Sequence, residues 1–338
     1  MIENEFQDFR KRLRQAKSLF HLNEWVRNRT ISLPSDEALG IAIFERNEYS
    51  RYFDYSGALT SLYATYEAYV FAIVTAWLRI IGASNYTVLS EKDLIELRES
   101  YRRHTGFCIQ HLSQKRFENI GLENLLISAL KSNRGRKNQI LVPEVFYSNL
   151  NNLRLNDLHG LFSDVKLLDA SNFLNSRPYL QDFLEGTGNT LDSYLSGFVQ
   201  RRNDVAHGNG GGELLGLSSL VEIADFLELL GQALRDFLLS NLLRSQKCVP
   251  IGTFQKRYKT KRVLILVSNG EYLSNSDRII IQSDREILVS QIESLEAESS
   301  ILGATTPGNL DPMGVQIKHI PPASGKVFRI LSPMQSFL

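Results

Sequence analysis

Cysteine is nearly missing from this chain: 338 residues hold two, Cys108 and Cys248, with no Cys-x-x-Cys pair. A disulfide-built scaffold and a thiolate metal site are thereby excluded, and a reducing compartment is expected. An excess of one charge is missing too. The 38 Lys and Arg stand against 37 Asp and Glu, a formal net charge of +1, so attraction to phosphate has to come from local patches. Long apolar runs are also lacking. The best membrane candidate, Ala68 to Leu78 between Glu67 and Arg79, is far short of the roughly 20 apolar residues of a spanning helix. The first residues mix acids and bases where a signal peptide needs an apolar stretch. The expectation is a soluble cytoplasmic protein with no membrane partner. His21, His104, His111, His159 and His319 show no His-x3-His spacing and read as surface or satisfied core residues. No metal and no cofactor is expected, and no Walker A, Rossmann, zinc-protease or nucleophile-elbow pattern occurs. Internal repeats and low-complexity tracts are absent as well.

What is present is an ordinary globular composition, 43% hydrophobic and 22% charged, in a length that suits two domains. The first two thirds read as helical. Phe6, Phe9, Leu13, Ala16 and Phe20 recur at spacings of three and four and form one apolar stripe. Pro34 interrupts, and Ser35-Asp36-Glu37 supplies a cap and first-turn acids for a second helix. From about Asp54 to Ile81 comes the most apolar helix, expected at the centre of a bundle. Further helices are expected near 91–103, 119–130, 155–165, 191–205 and 217–243. The basic stretch Lys131-Ser132-Asn133-Arg134-Gly135-Arg136-Lys137 reads as an exposed loop.

Beyond Lys247 short strand-like runs follow, at 262–267, 278–281, 286–289, 314–317 and 326–330, separated by Ser-Asn-Gly, Ser-Asp-Arg and Pro-Gly-Asn turns. They predict a small antiparallel sheet or barrel. The fold class is therefore mainly α: a helical domain over 1–246 and a small β-rich domain over 247–338.

The informative segment is Gln200-Arg201-Arg202-Asn203-Asp204-Val205-Ala206-His207-Gly208. It closes a helix, and the glycines after His207 stop it. Asn203 and His207, four apart, share a helical face, and Arg202 reaches the same region. A guanidinium, an amide and an imidazole at one helix end suit a phosphate. Cleaving RNA without metal needs proton transfer near neutral pH, which histidine supplies. It also needs positive charge on a phosphorane, which arginine supplies. The glycines at 208 and 210–212 would let a polynucleotide backbone approach.

Arg-Asn-x-x-Ala-His-Gly, as Arg202 to Gly208, resembles the signature of the HEPN superfamily, in particular its prokaryotic toxin- and anti-phage-associated subfamilies. Ala64-Thr65-Tyr66-Glu67-Ala68-Tyr69 is similar to the helix that precedes the motif there, and Asn152-Leu153-Arg154-Leu155-Asn156-Asp157-Leu158 to the segment introducing the motif-bearing half. The resemblance covers most of residues 40–240. It implies a HEPN-type bundle that dimerises and joins two motifs into one metal-independent ribonuclease site, leaving a 2′,3′-cyclic phosphate. By position Arg202 and His207 would be catalytic, Asn203 would orient or bind the phosphate, and Glu67 would hold Arg202 or His207. Toxin-type members often follow the histidine with a polar residue and then Tyr, whereas Gly208 and Asn209 stand here, which puts regulation through that tyrosine in doubt. The expected partners are RNA, a second copy of the chain, and an antitoxin or defence-system protein.

Blander readings stand beside these. Arg202 and His207 could simply complement a helix dipole, and Glu67 could pair with an arginine for structure alone. RNA-guiding candidates are Arg201, the loop cluster Lys131, Arg134, Arg136 and Lys137, and the cluster Arg257, Lys259 and Lys261. As a strand, 256–262 would put those last three on one face and Tyr258 and Thr260 on the other. Charges there would equally protect a sheet edge against aggregation. Two alternatives to a nuclease remain open: a non-catalytic interaction or nucleotide-binding protein, and a β-domain that recognises nucleic acid on a merely assembling bundle.

Overall fold

A computed structural model describes residues 1–30, 37–83, 88–114, 120–133, 141–147, 150, 152–207, 214–245, 248–269, 271–297, 300–302 and 312–331. The cap at Ser35-Asp36, Arg134, Arg136, Lys137 and the glycine cluster 208–212 lie outside these residues. The helices are α1 (Ile2–Thr30), α2 (Glu37–Ala83), α3 (Glu91–Gln110), α4 (Leu122–Asn133), α5 (Glu144–Tyr147), α6 (Leu155–Asp164), α7 (Ala170–Asn175), α8 (Pro178–Thr187), α9 (Leu191–Ala206) and α10 (Leu217–Leu243). Strands follow at once: β1 (Cys248–Tyr258), β2 (Val263–Ser268), β3 (Arg278–Gln282), β4 (Ile287–Ala297), β5 (Ser300–Leu302), β6 (Met313–Ile317) and β7 (Gly325–Ile330).

The two helices expected around residues 35 and 54 are a single one. Between Glu37 and Ala83 no proline intervenes, and Gly57 faces open space. The 47 residues of α2 therefore run on for about 70 Å at 1.5 Å per residue. From Arg51 to Ala83 α2 is long and apolar enough to cross a membrane by length and composition. Here that stretch is the spine of the bundle, with Leu59, Leu62, Val70, Val74, Trp77, Ile80 and Ile81 buried.

α1 and α10 pack along α2, each through the stripe that its spacing dictates: Phe6, Phe9 and Leu13 on α1, Leu227, Leu230 and Leu234 on α10. At their meeting point the Phe9 and Tyr69 rings stack at 4.2 Å, and the Tyr69 hydroxyl donates to the Gly231 carbonyl at 3.0 Å. A Cβ on Gly231 would lie 2.3 Å from the Phe9 ring. Gly231→Ala is therefore expected to destabilise the protein by about 1–3 kcal/mol through overpacking. Urea denaturation of variant and parent checks this, and equal midpoints would contradict it.

The strands pair antiparallel in the order β3-β7-β1-β2-β6-β4-β5, and β3 also pairs with β4. Six strands thus close into a barrel and β5 adds outside β4. Ile251, Phe254, Leu264, Leu266, Ile279, Ile281, Ile292, Leu295, Met313, Val315, Ile317 and Val327 fill its interior. Cys248, Ile280, Ile287, Val289 and Ile330 instead join the helical core, so barrel and bundle share a packed contact.

Two expectations for this region change. β1 had not been anticipated as a strand before residue 256, and the basic run 256–262 is not one strand. β1 ends at Tyr258, and 259–262 form the turn into β2. Lys259 and Lys261 therefore lie in a turn rather than on a strand face with Arg257. Arg262 takes a left-handed φ of 52° there.

Candidate phosphate-handling site

α9 starts at a capping box in which the Thr190 hydroxyl accepts from the Ser193 N–H at 3.1 Å. Its buried stripe is Leu191, Leu195, Phe198 and Val199, and Arg202 is the next residue along it. The half-buried guanidinium is thereby driven against α2, where it lies 3.8 Å from the centre of the Tyr63 ring. At that distance a desolvated cation is attracted by the negative face of the ring.

Tyr63 is buried and fixed on every side. Phe198 and Tyr66 pack on its ring at 6.2 and 6.3 Å. Its oxygen accepts the Leu153 N–H at 3.1 Å, and the Tyr66 hydroxyl donates to the Leu153 carbonyl at 3.0 Å. The Tyr63 hydroxyl also bonds the carboxylate of Glu67, one helical turn on. Burial, reinforced by that carboxylate, pushes the Tyr63 phenol up to about 12, so at neutral pH it remains a donor. Burial likewise raises Glu67, against the pull of Arg202 and the Tyr63 bond. The charge that Glu67 feels is that of Arg202.

Arg202 donates through Nη1 to the Asn203 side-chain oxygen at 2.8 Å. Asn203 also receives, on its backbone carbonyl, the N–H of His207 at 3.0 Å. His207 caps the C-terminus of α9, its side chain is exposed, and its ring makes no hydrogen bond to the described residues. A second layer stands behind. Arg154, at the start of α6, donates to Gln200 at 2.9 Å, and Gln200 donates to Asp204 at 2.9 Å.

Arg202, Asn203 and Glu67 are thus brought together, with His207 at the adjoining helix end. Arg201 points along the opposite flank of α9, into a cleft of about 250 Å³ with Asn189, Ser193, Tyr194 and Glu222. Lys131 is exposed in the last turn of α4. Arg257 donates to the Pro321 carbonyl on the barrel, and Lys259 and Lys261 are exposed nearby. Among the described residues, no hydrogen bond or ion pair joins these five to Arg202, Asn203, Glu67 or His207.

His104, largely buried, is the satisfied histidine that the sequence suggested. Its Nε2 lies 2.8 Å from Asp164, which also accepts from Ser100 and Arg103. Burial alone would raise Asp164, but His104 and Ser100 hold it below its ordinary value. The cluster clamps α3 to α6. Tyr63 was missed by sequence reasoning, because its cationic partner Arg202 lies on a distant helix.

The arrangement offers a partly desolvated cation held against α2 and, at the C-terminal end of the same helix, a solvent-facing imidazole, groups of the kind that a phosphoryl oxygen and a transferable proton require. The family model described as RiboL-PSP-HEPN matches residues 35–240, which spans α2 through most of α10. No curated protein and no solved structure matches the chain.

Proposed function

The chain belongs to the RiboL-PSP-HEPN family, and from that premise we propose that it is a metal-independent endoribonuclease acting as a homodimer. The observation that carries this reading is the Arg202 guanidinium held against Tyr63 at 3.8 Å, with an exposed His207 at the end of the same helix. In the proposed reaction one His207 takes the proton of the 2′-hydroxyl as that oxygen bonds to phosphorus. The P–O5′ bond breaks, and the second copy's His207 returns a proton to the departing 5′-oxygen. Arg202 balances the charge on the phosphorane, and Asn203 positions Arg202 or a phosphoryl oxygen. Glu67 and Tyr63 act behind them as positioning residues. The products are a 2′,3′-cyclic phosphate and a 5′-hydroxyl. The biological setting in this reading is a toxin or anti-phage effector, silenced by a partner protein or by its own barrel until triggered.

The test is incubation of purified full-length protein with RNA in EDTA, followed by analysis of the product ends. Cleavage with cyclic-phosphate and 5′-hydroxyl termini is expected. A requirement for magnesium, or 3′-hydroxyl products, would overturn the reading.

A further inference from the structure

Edge protection explains only part of the basic cluster. Charged residues are useful on a strand that lies at an open sheet edge. The ladder of β7 on β1 ends at Phe254, so 256–258 pair with β2 alone and Lys256 and Arg257 stand on a short free edge. Lys259 and Lys261, however, lie in the turn and Lys318 follows β6, so these three protect no strand.

The fold nevertheless concentrates cations at this end. The turn after β1 is fixed by its own arginines: Arg262 donates to the Lys318 carbonyl at 2.7 Å and Arg257 to that of Pro321. The Arg262 carbonyl receives the Ile317 N–H at 3.0 Å. These bonds draw the segment after β6 against the β1–β2 turn, so Lys318 joins Lys256, Lys259 and Lys261, all four exposed. The one carboxylate that forms an ion pair with the cluster, among the described residues, is Glu293, and it is spent on Arg262 at 3.3 Å. A chain of net charge +1 thus carries a local, uncompensated positive patch whose like charges repel unless a polyanion covers it.

Amid the patch stands an aromatic ring. Tyr258 is 45% exposed, with the Lys256 ammonium 5.4 Å from its centre. Lysines spaced around an accessible ring suit a flexible strand whose phosphates meet the cations while a base stacks on the ring. An acidic peptide would use the lysines and gain nothing from the ring.

We infer that this end of the barrel is a docking surface for single-stranded RNA, with Lys256, Lys259, Lys261 and Lys318 as phosphate contacts and Tyr258 as a stacking platform. Arg257 and Arg262 serve as the struts that shape it. The surface rests on the ribonuclease reading only for the choice of RNA as its strand. It gives that activity a place to hold substrate apart from the catalytic groups.

The test uses the full chain carrying His207→Ala, so that RNA survives, and measures binding of a labelled oligouridylate by fluorescence anisotropy across a salt series. Each phosphate contact with a single strand contributes about 0.7 to the slope of log affinity against log salt. Replacing all four lysines by glutamine should flatten the slope by about 3, and Tyr258→Ala, which leaves the charge intact, should weaken binding roughly tenfold with the slope unchanged. Polyglutamate binding should not respond to Tyr258→Ala. An unaltered slope in the four-lysine variant overturns the inference. So does polyglutamate bound as tightly as RNA, which would mark an acidic protein as the occupant. RNA binding with the expected slopes by a chain whose parent cleaves nothing would support this surface and sink the nuclease reading alone.

Discussion

His207→Ala is expected to lower RNA cleavage by about 10²–10⁴-fold, the usual contribution of a positioned acid or base, while leaving RNA affinity and stability nearly unchanged. The side chain is exposed and makes no hydrogen bond to the described residues. Its one structural service is the cap N–H donated to Asn203, and alanine keeps that N–H. Surface changes of this kind stay within about 0.5 kcal/mol of the parent. The useful measurement is single-turnover cleavage at saturating protein beside a urea melt. A variant that folds, binds RNA and cuts at the parental rate would remove His207 from the chemistry.

The second large effect concerns stability. Arg235→Met is expected to cost about 3–5 kcal/mol at pH 8, because it strands a buried charge. Arg235 is buried between bundle and barrel. It donates to Asp236 at 2.8 and 3.1 Å and to the Ile287 carbonyl at 3.1 Å, with Glu3 at 3.6 Å. Burial alone would lower the guanidinium, but Asp236 and Glu3 more than offset this and hold it above its ordinary value. Asp236 is fully buried, and it takes the Tyr179 hydroxyl at 3.2 Å and the Ile287 N–H. Burial pushes it up to about 6 even with Arg235 present.

The sign follows from that upward displacement. An acid that titrates higher in the folded state than in the unfolded chain favours folding while protonated. That contribution is lost as pH rises from about 4 through about 6. Without Arg235 the carboxyl is driven higher still, so the variant should be penalised less at pH 5 than at pH 8. Adding Asp236→Asn should restore part of the loss at pH 8. Urea denaturation at both pH values reads this directly, and a penalty of the same size at each would argue that the guanidinium contributes packing alone.

Periodicity carried the long helices well. The stripe of Phe6, Phe9 and Leu13 and the run from Leu217 to Leu243 are both found as read. Between Glu144 and Thr187, α6 is found where the helix at 155–165 was expected, whereas α5, α7 and α8 were not legible; the four and six residues of α5 and α7 repeat too few turns to show a period. β1 hid for another reason. Its register shifts between Pro250 and Gly252 against β7, and between Phe254 and Lys256 against β2, which destroys strict alternation. Gly252 takes a φ of 152°, and a Cβ there would lie 2.2 Å from the Val267 carbonyl oxygen. Residues that look like strand breakers are what this bulged strand requires.

At the candidate site, the motif string singled out Arg202, Asn203, His207 and Glu67, while the ring beneath Arg202 stayed invisible. Tyr55, Tyr63, Tyr66 and Tyr69 all lie buried on α2, and only their partners tell them apart. Tyr66 serves Leu153, Tyr69 serves Gly231, and Tyr63 carries the Arg202 guanidinium over its ring. Such partners come from distant segments and leave no trace in local spacing.

The pairing of α1 with α10 has a consequence for synthesis. Arg10 holds Glu228, and Lys17 bonds Asp225, across separations of 218 and 208 residues. A nascent chain can cover one side of the apolar stripe of α1 with α2, but the side that faces α10 stays open until residues 217–243 have been made. Such late closure means slow, non-local folding and an extended interval in which Phe6, Phe9 and Leu13 invite chaperones or self-association.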